Sequence, residues 1–450
     1  MVYLDYSATS PLLPEAKSAM INAMDLVGNA SALHTPGHLA MNVIEDAREE
    51  IAKLINAKPE EILFTSGGTE SNNTVTNIFA GESVAISAIE HPSLLESAKL
   101  RCNATIIPVD KYGMVKKEIF ETQFSEISAT TGAGDRRSAC NDRPRSRCSE
   151  NSCSNISLYS VMLANNEIGT VNDIKTLAKA AHRLGALFHT DATQALGKIP
   201  IDVKDLDVDY MTISSHKIGG PIGIGVLYIK KGSPFRPFMI GGHQERGRRA
   251  GTYQTVNIAG FGAAAKYAND HQTWQIYEQK IRPLRDLLAK RILEEIPYSS
   301  INGSGEDKQS FLRYLATTGA SATASPVTNQ GSEETLGKLA SLSDVDSGPQ
   351  GQTGRSRSVA QKTTVCPNLP NILNCSFEAA EGESIQLYLD AEGDIITSTG
   401  SACASGDGKP SHVIMATRND AEIAHSSVRF SFGLDSTEKD VEHVMQYLPN

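Results

Sequence analysis

The chain has 450 residues, 40% of them hydrophobic and 21% charged, and 42 Lys plus Arg against 52 Asp plus Glu give a net charge of -10. Those values describe a globular protein of about two or three domains, exclude a disordered or fibrous chain, and with no basic block argue against a nucleic-acid partner. No apolar run approaches the roughly 18 residues of a membrane span, and residues 1–5 lack the basic and apolar regions of a leader, so a cytoplasmic protein with no membrane partner is expected. In chain order, apolar positions recur every three or four residues over 40–55 and 174–184, which predicts helices. Short β-branched runs at 62–65, 83–89, 105–109, 158–164, 186–189, 210–214 and 223–229 predict strands. Their alternation with helical stretches implies a largely parallel sheet covered on both faces. Helices over 256–295, a strand at 371–377, a helix at 383–389 and a strand at 427–432 suggest a second, smaller α+β unit.

Two segments break this pattern. Residues 130–155 mix five arginines and three cysteines with Ser, Gly and Asn, and residues 304–364 are rich in Ser, Thr, Gly, Gln and Ala. Neither offers the apolar surface that offsets ordering entropy, so both read as irregular, disordered insertions, and the Arg and Cys mixture of the first resembles a frame-shifted stretch. The seven cysteines are odd in number and contain no CxxC pair, which indicates neither a disulfide framework nor a zinc site.

Three strand ends carry chemistry. Thr65-Ser66-Gly67-Gly68-Thr69-Glu70-Ser71-Asn72 follows an apolar strand, and a glycine turn opening a helix offers free N–H groups to a phosphate. By itself such a turn is often only a turn, and it matches neither GxGxxG nor GxxxxGK[ST]. Thr212-Ile213-Ser214-Ser215-His216-Lys217 ends a strand in a lysine suited to imine formation with an aldehyde. His189-Thr190-Asp191-Ala192-Thr193-Gln194 supplies an acid that can pair with a protonated pyridine nitrogen. In an open α/β sheet all three belong at one crevice.

With these motifs the chain resembles the cysteine desulfurases, pyridoxal-phosphate enzymes of the class-V aminotransferase group that feed iron-sulfur cluster assembly and tRNA thiolation. The resemblance also rests on Tyr3-Leu4-Asp5-Tyr6-Ser7-Ala8-Thr9, Glu90-His91, Ala164-Asn165-Asn166-Glu167-Ile168-Gly169, Gly241 to Gly247, Arg249-Ala250-Gly251-Thr252, Ser401-Ala402-Cys403 and Ser426 to Phe430. It implies the type I fold of pyridoxal-phosphate-dependent transferases: a large cofactor domain over 15–257 with a mostly parallel seven-stranded sheet, and a small α+β domain from 1–14 and 258–450. It further implies that Lys217 bonds to the cofactor aldehyde, Asp191 pairs with the ring nitrogen, His91 stacks on the ring and Gln194 reaches the phenolic oxygen. Asn166 would contact cofactor and substrate, and Gly68, Thr69, Ser214 and His216 would hold the phosphate, joined by Thr252 of a neighbouring subunit in a homodimer. Arg429 would take the carboxylate of L-cysteine. Cys403, in a run of small residues typical of an exposed loop, would be the nucleophile that receives sulfur. It would pass that sulfur to an iron-sulfur scaffold or sulfur-carrier protein, and serve as a transient cluster ligand.

The chain departs from the family pattern in having Ser10 for Thr and Ala30 for Pro, in the two irregular segments, and in stopping at Asn450 before the usual C-terminal helix and tail. Rival readings are a selenocysteine lyase or cysteine sulfinate desulfinase of the same fold, and a non-catalytic interaction protein built on it.

Overall fold

The protein is described by a computed structural model over residues 1–119, 156–303, 368–400 and 410–448. Cys403 and the expected insertions at 130–155 and 304–364 lie outside the described residues. The strands are β1 (Val2–Tyr3), β2 (Ile62–Thr65), β3 (Ser83–Ser87), β4 (Asn103–Ile107), β5 (Leu158–Ser160), β6 (Leu187–Asp191), β7 (Tyr210–Ser214), β8 (Gly225–Ile229), β9 (Ser299–Asn302), β10 (Ile372–Phe377), β11 (Ile395–Ile396) and β12 (Ser427–Ser431).

Seven of them, β2 to β8, form one sheet in the order β2-β8-β7-β6-β5-β3-β4. Pairing is parallel from β4 through β7, and only β8 runs against its two neighbours. Side chains alternate across each strand, so Ile62 and Phe64 enter one core and Leu63 the other. On the first face the helices Pro14–Met24, Thr35–Leu54 and Thr255–Asp270 pack together, with Ile44, Ile51 and Phe261 fully buried. Gly262 makes the close helix approach possible, since a Cβ there would lie 2.5 Å from that of Ala47. On the other face Val75 of the helix Gly68–Ile78, Phe79 just beyond it and Leu94 of Pro92–Arg101 meet Leu63 and Val84.

A second sheet, β12-β10-β9, is antiparallel throughout. Val428 and Phe430 of β12, Leu373 of β10 and Leu288 and Ile292 of the helix Arg282–Glu295 form its core, and Leu4 joins them from the N-terminal segment. That segment pairs β1 with β11 in parallel and bridges Asp5 to Ser431. No helix among the described residues is long and apolar enough to cross a membrane.

Candidate active site

Parallel strands that enter the sheet in one direction deliver their following turns to one edge, and that edge holds a cavity of about 270 Å³. The turn after β2 is its floor at one end. Gly67, at φ 149° and ψ -178°, adopts a conformation essentially closed to other residues, and the helix Gly68–Ile78 starts there with no side chain capping its first N–H groups. The turns of three strands converge on it: a Cβ on Gly68 would stand 3.6 Å from Thr193 Oγ1 and 4.0 Å from Ser214 Cβ. Uncapped N–H groups at a helix start, ringed by Thr69, Thr193, Ser214 and His216, make a cradle for a dianionic phosphate.

Asp191, the last residue of β6, is buried, and its carboxylate is fixed on both oxygens. Asn72 Nδ2 donates to Oδ2 at 2.9 Å and the Thr193 N–H donates to Oδ1 at 2.9 Å. His91 caps the helix Pro92–Arg101, its Nδ1 accepting from the Ser93 N–H at 3.1 Å, which leaves the proton of the neutral ring on Nε2. Burial, with smaller contributions from Lys217 and His412, outweighs the pull of Asp191 and holds His91 below the ordinary imidazole range. Burial, then Lys217 and Lys198, push His216 down to about 4. Both rings are therefore uncharged at neutral pH. Beneath Asp191, His189 is fully buried between Ser160 Oγ at 2.7 Å and Thr212 Oγ1 at 3.1 Å.

Lys217 follows β7, and its Nζ donates to the carbonyls of Ser7 at 2.5 Å and Ala8 at 2.7 Å. Gln194 Nε2 donates to the same Ser7 carbonyl at 2.9 Å. From the second sheet, Arg429 is 1% exposed; its Nη2 pairs with Asp5 Oδ1 at 2.7 Å, and Nη1 donates to the carbonyls of Asn166, at 3.0 Å, and Gly400. The Ser10 hydroxyl donates to the Lys217 carbonyl at 3.1 Å.

The cavity thus brings together Gly68, Thr69, His91, Asn166, Asp191, Gln194, Ser214, His216, Lys217 and Arg429. Thr252 is exposed and does not line it. Polar lining groups without an expected role include Ser7, Asn72, Ser93 and Thr193, with the carbonyl of Ala8. Asn72 sits one helical turn beyond Gly68, a spacing that places both on one face and could have marked it.

Pyridoxal phosphate fits this donor set. Several buried polar atoms around the cavity have no protein partner among the described residues: Gln194 Oε1, Thr193 Oγ1, Asn72 Oδ1 and Arg429 Nε. They would supply hydroxyl, amide and guanidinium contacts to a ligand with a phosphate, a phenolic oxygen and a carboxylate-bearing substrate, and Asp191 would meet the ring nitrogen.

Comparison with known proteins accords with this cavity. The family described as aminotransferase class-V matches residues 2–130, 147–323 and 355–444. The cysteine desulfurase IscS of Dictyoglomus turgidum is 35% identical over 458 residues, covering 99% of this chain and 93% of that protein. Among solved structures, a NifS-like protein from Rickettsia africae superposes with a TM-score of 0.73 at 28% identity, covering 99% of this chain and 98% of that one. SspA in complex with cysteine reaches a TM-score of 0.65 at 25% identity, covering 96% of this chain and 99% of that one.

Proposed function

Because the chain belongs to the aminotransferase class-V family, we infer from its cavity that it is a pyridoxal-phosphate-dependent cysteine desulfurase, acting on L-cysteine. The observation that carries the reading is the meeting of Lys217, Asp191, His91 and Arg429 in one cavity of a chain alike, over nearly its whole length, to a cysteine desulfurase. When bound, pyridoxal phosphate supplies an electron sink for the pair left at the substrate α-carbon.

The chain's own residues do the rest. Arg429 binds the substrate carboxylate through its planar fork, with Nε open for a charge-assisted hydrogen bond. Lys217 Nζ, aimed by the Ser7 and Ala8 carbonyls, takes the α-proton as general base. Asp191, held by Asn72 and Thr193, would pair with the ring nitrogen. The Cys403 thiolate attacks the sulfur of cysteine; an S–S bond forms as the C–S bond breaks, leaving a persulfide on Cys403 and, after protonation, L-alanine. Cys403 then hands the sulfur to an iron-sulfur scaffold or sulfur-carrier protein in the cytoplasm. Thr252, exposed on its loop, would join the phosphate of a second subunit in a homodimer.

Mass spectrometry after incubation with L-cysteine tests the reading. A sulfur adduct on Cys403, absent in Cys403→Ala, is expected, together with a yellow protein whose reducible chromophore disappears in Lys217→Ala. A chromophore that survives Lys217→Ala, or a Cys403→Ala variant with full cysteine turnover, overturns it.

A further inference from the structure

Lys198 has no part in the chemistry above, yet it is buried beside it. It is only 1% exposed, and its Nζ donates to the carbonyl of Gln194 at 3.1 Å and, at 3.4 Å, to the carbonyl of Lys217. No carboxylate pairs with it among the described residues. The titratable groups that face it are Lys217 and His216, both from the turn after β7.

An ammonium buried without a counter-charge is costly, whereas an apolar side chain at the same place would not be. What the cost obtains is visible in the geometry. Gln194 belongs to the turn after β6 and Lys217 to the turn after β7, and their side-chain tips already meet at the Ser7 carbonyl. Lys198 ties their backbones together from below, so the two turns are cross-linked at both ends of the pair. It also sets a second basic nitrogen where its charge and that of Lys217 act on each other.

We propose that Lys198 is a positioning residue for Lys217: it fixes the Lys217 backbone against Gln194 and disfavours a second positive charge on the Lys217 nitrogen. The inference rests on Lys217 being the lysine joined to the cofactor. The direction follows from like charges: a cation nearby lowers the pKa of its neighbour. Burial, and then Lys217, in turn hold Lys198 down at about 7, so its influence is greatest at and below neutral pH. Asp191 acts in the opposite sense from β6, and His91 and His216 are uncharged there.

The test is a pH titration of the visible chromophore of the holoenzyme, without substrate, in the parent, Lys198→Met, Lys198→Gln and Lys198→Arg proteins. The charge-free Met and Gln variants should titrate roughly one pH unit higher than the parent. Lys198→Arg, charged at every pH, should titrate at or below the parent value. Gln keeps a donor without the charge, so it serves if Met fails to fold. Parent-like titration in the charge-free variants, even with lowered thermal stability, would reduce Lys198 to a structural clamp and overturn the proposal. A parent protein without any chromophore would instead defeat the assignment of Lys217 itself.

Discussion

Each reactive group in the cavity is held by a neighbour that does no chemistry. Lys217 is aimed by backbone carbonyls, His91 by the amide of Ser93, and Asp191 by Asn72 and Thr193. A carboxylate that must meet a ring nitrogen gains from such support, since each hydrogen bond to the charged form favours it and restricts its rotation. Asn72→Ala removes the donor to Oδ2 while leaving the backbone donor to Oδ1. We expect it to weaken cofactor binding about tenfold, the equivalent of roughly 1.4 kcal/mol for one hydrogen bond to a charged group. Absorbance titration of the apoprotein with pyridoxal phosphate measures this, and a dissociation constant within twofold of the parent would remove Asn72 from the site.

The loop ahead of Thr252 shows how a flexible-looking stretch is fixed. Glu245 and Arg246 have φ of 49° and 60°, a strained choice for residues with side chains. The strain is offset by a buried bidentate pair: Arg48 donates through Nη1 and Nη2 to the two oxygens of Glu245 at 2.9 and 2.8 Å, and the Phe64 N–H adds a third bond at 3.1 Å. A second pair, Arg249 with Glu70 at 3.0 Å, anchors the loop to the phosphate turn, where Glu70 also accepts from the Ser66 N–H. Glu245→Ala removes the buried partner of Arg48 and leaves it only the partly exposed carboxylate of Glu45, at 3.1 Å, so it should cost about 1–3 kcal/mol. Urea denaturation checks this, and a loss below about 1 kcal/mol would mean that the loop is held by other contacts.

The elements differ in how far the sequence announced them. Six of the seven strands of the large sheet are legible because their apolar runs are buried on both faces, whereas the largely exposed edge strand β4 shows only its β-branched Thr105-Ile106-Ile107. The strand β9 reads Ser-Ser-Ile-Asn and carries no such signal; it exists by pairing with β10, where Asn302 Nδ2 donates to Asn374 Oδ1 and Ser376 Oγ, both at 2.8 Å. The two-residue β1 and β11 likewise exist only through each other. The helix Glu438–Tyr447 was readable, with a Thr437 and Asp440 capping box and Val441, Val444 and Met445 at helical spacing, but such short signals are easily passed over near a chain end. At the site, Asp191 and Lys217 stand out as charged residues ending apolar strands. Asn72 stands out less, because an amide inside a helix has only its one-turn spacing from Gly68 as a cue.

At the scale of the whole molecule, the cavity is shared between two sheets. Lys217, Asp191 and the phosphate turn come from the large sheet and Arg429 from β12 of the small one. Residues 1–10 join them: Leu4 sits in the second core, Asp5 pairs with Arg429, and the Ser7 and Ala8 carbonyls hold Lys217 and Gln194. A ligand that contacts Arg429 and Lys217 together therefore bridges both sheets, and its binding free energy adds to the stability of the assembled fold, about 2.7 kcal/mol at a hundredfold excess over its dissociation constant. L-alanine, the expected product, has both amine and carboxylate; ethylamine has only the amine. In a thermal melt of the holoenzyme, L-alanine should raise the midpoint and equimolar ethylamine should not. Arg429→Lys, which keeps the charge but loses the planar fork, should abolish most of the difference. Equal stabilisation by both ligands would place the carboxylate elsewhere and leave Arg429 as the partner of Asp5 alone.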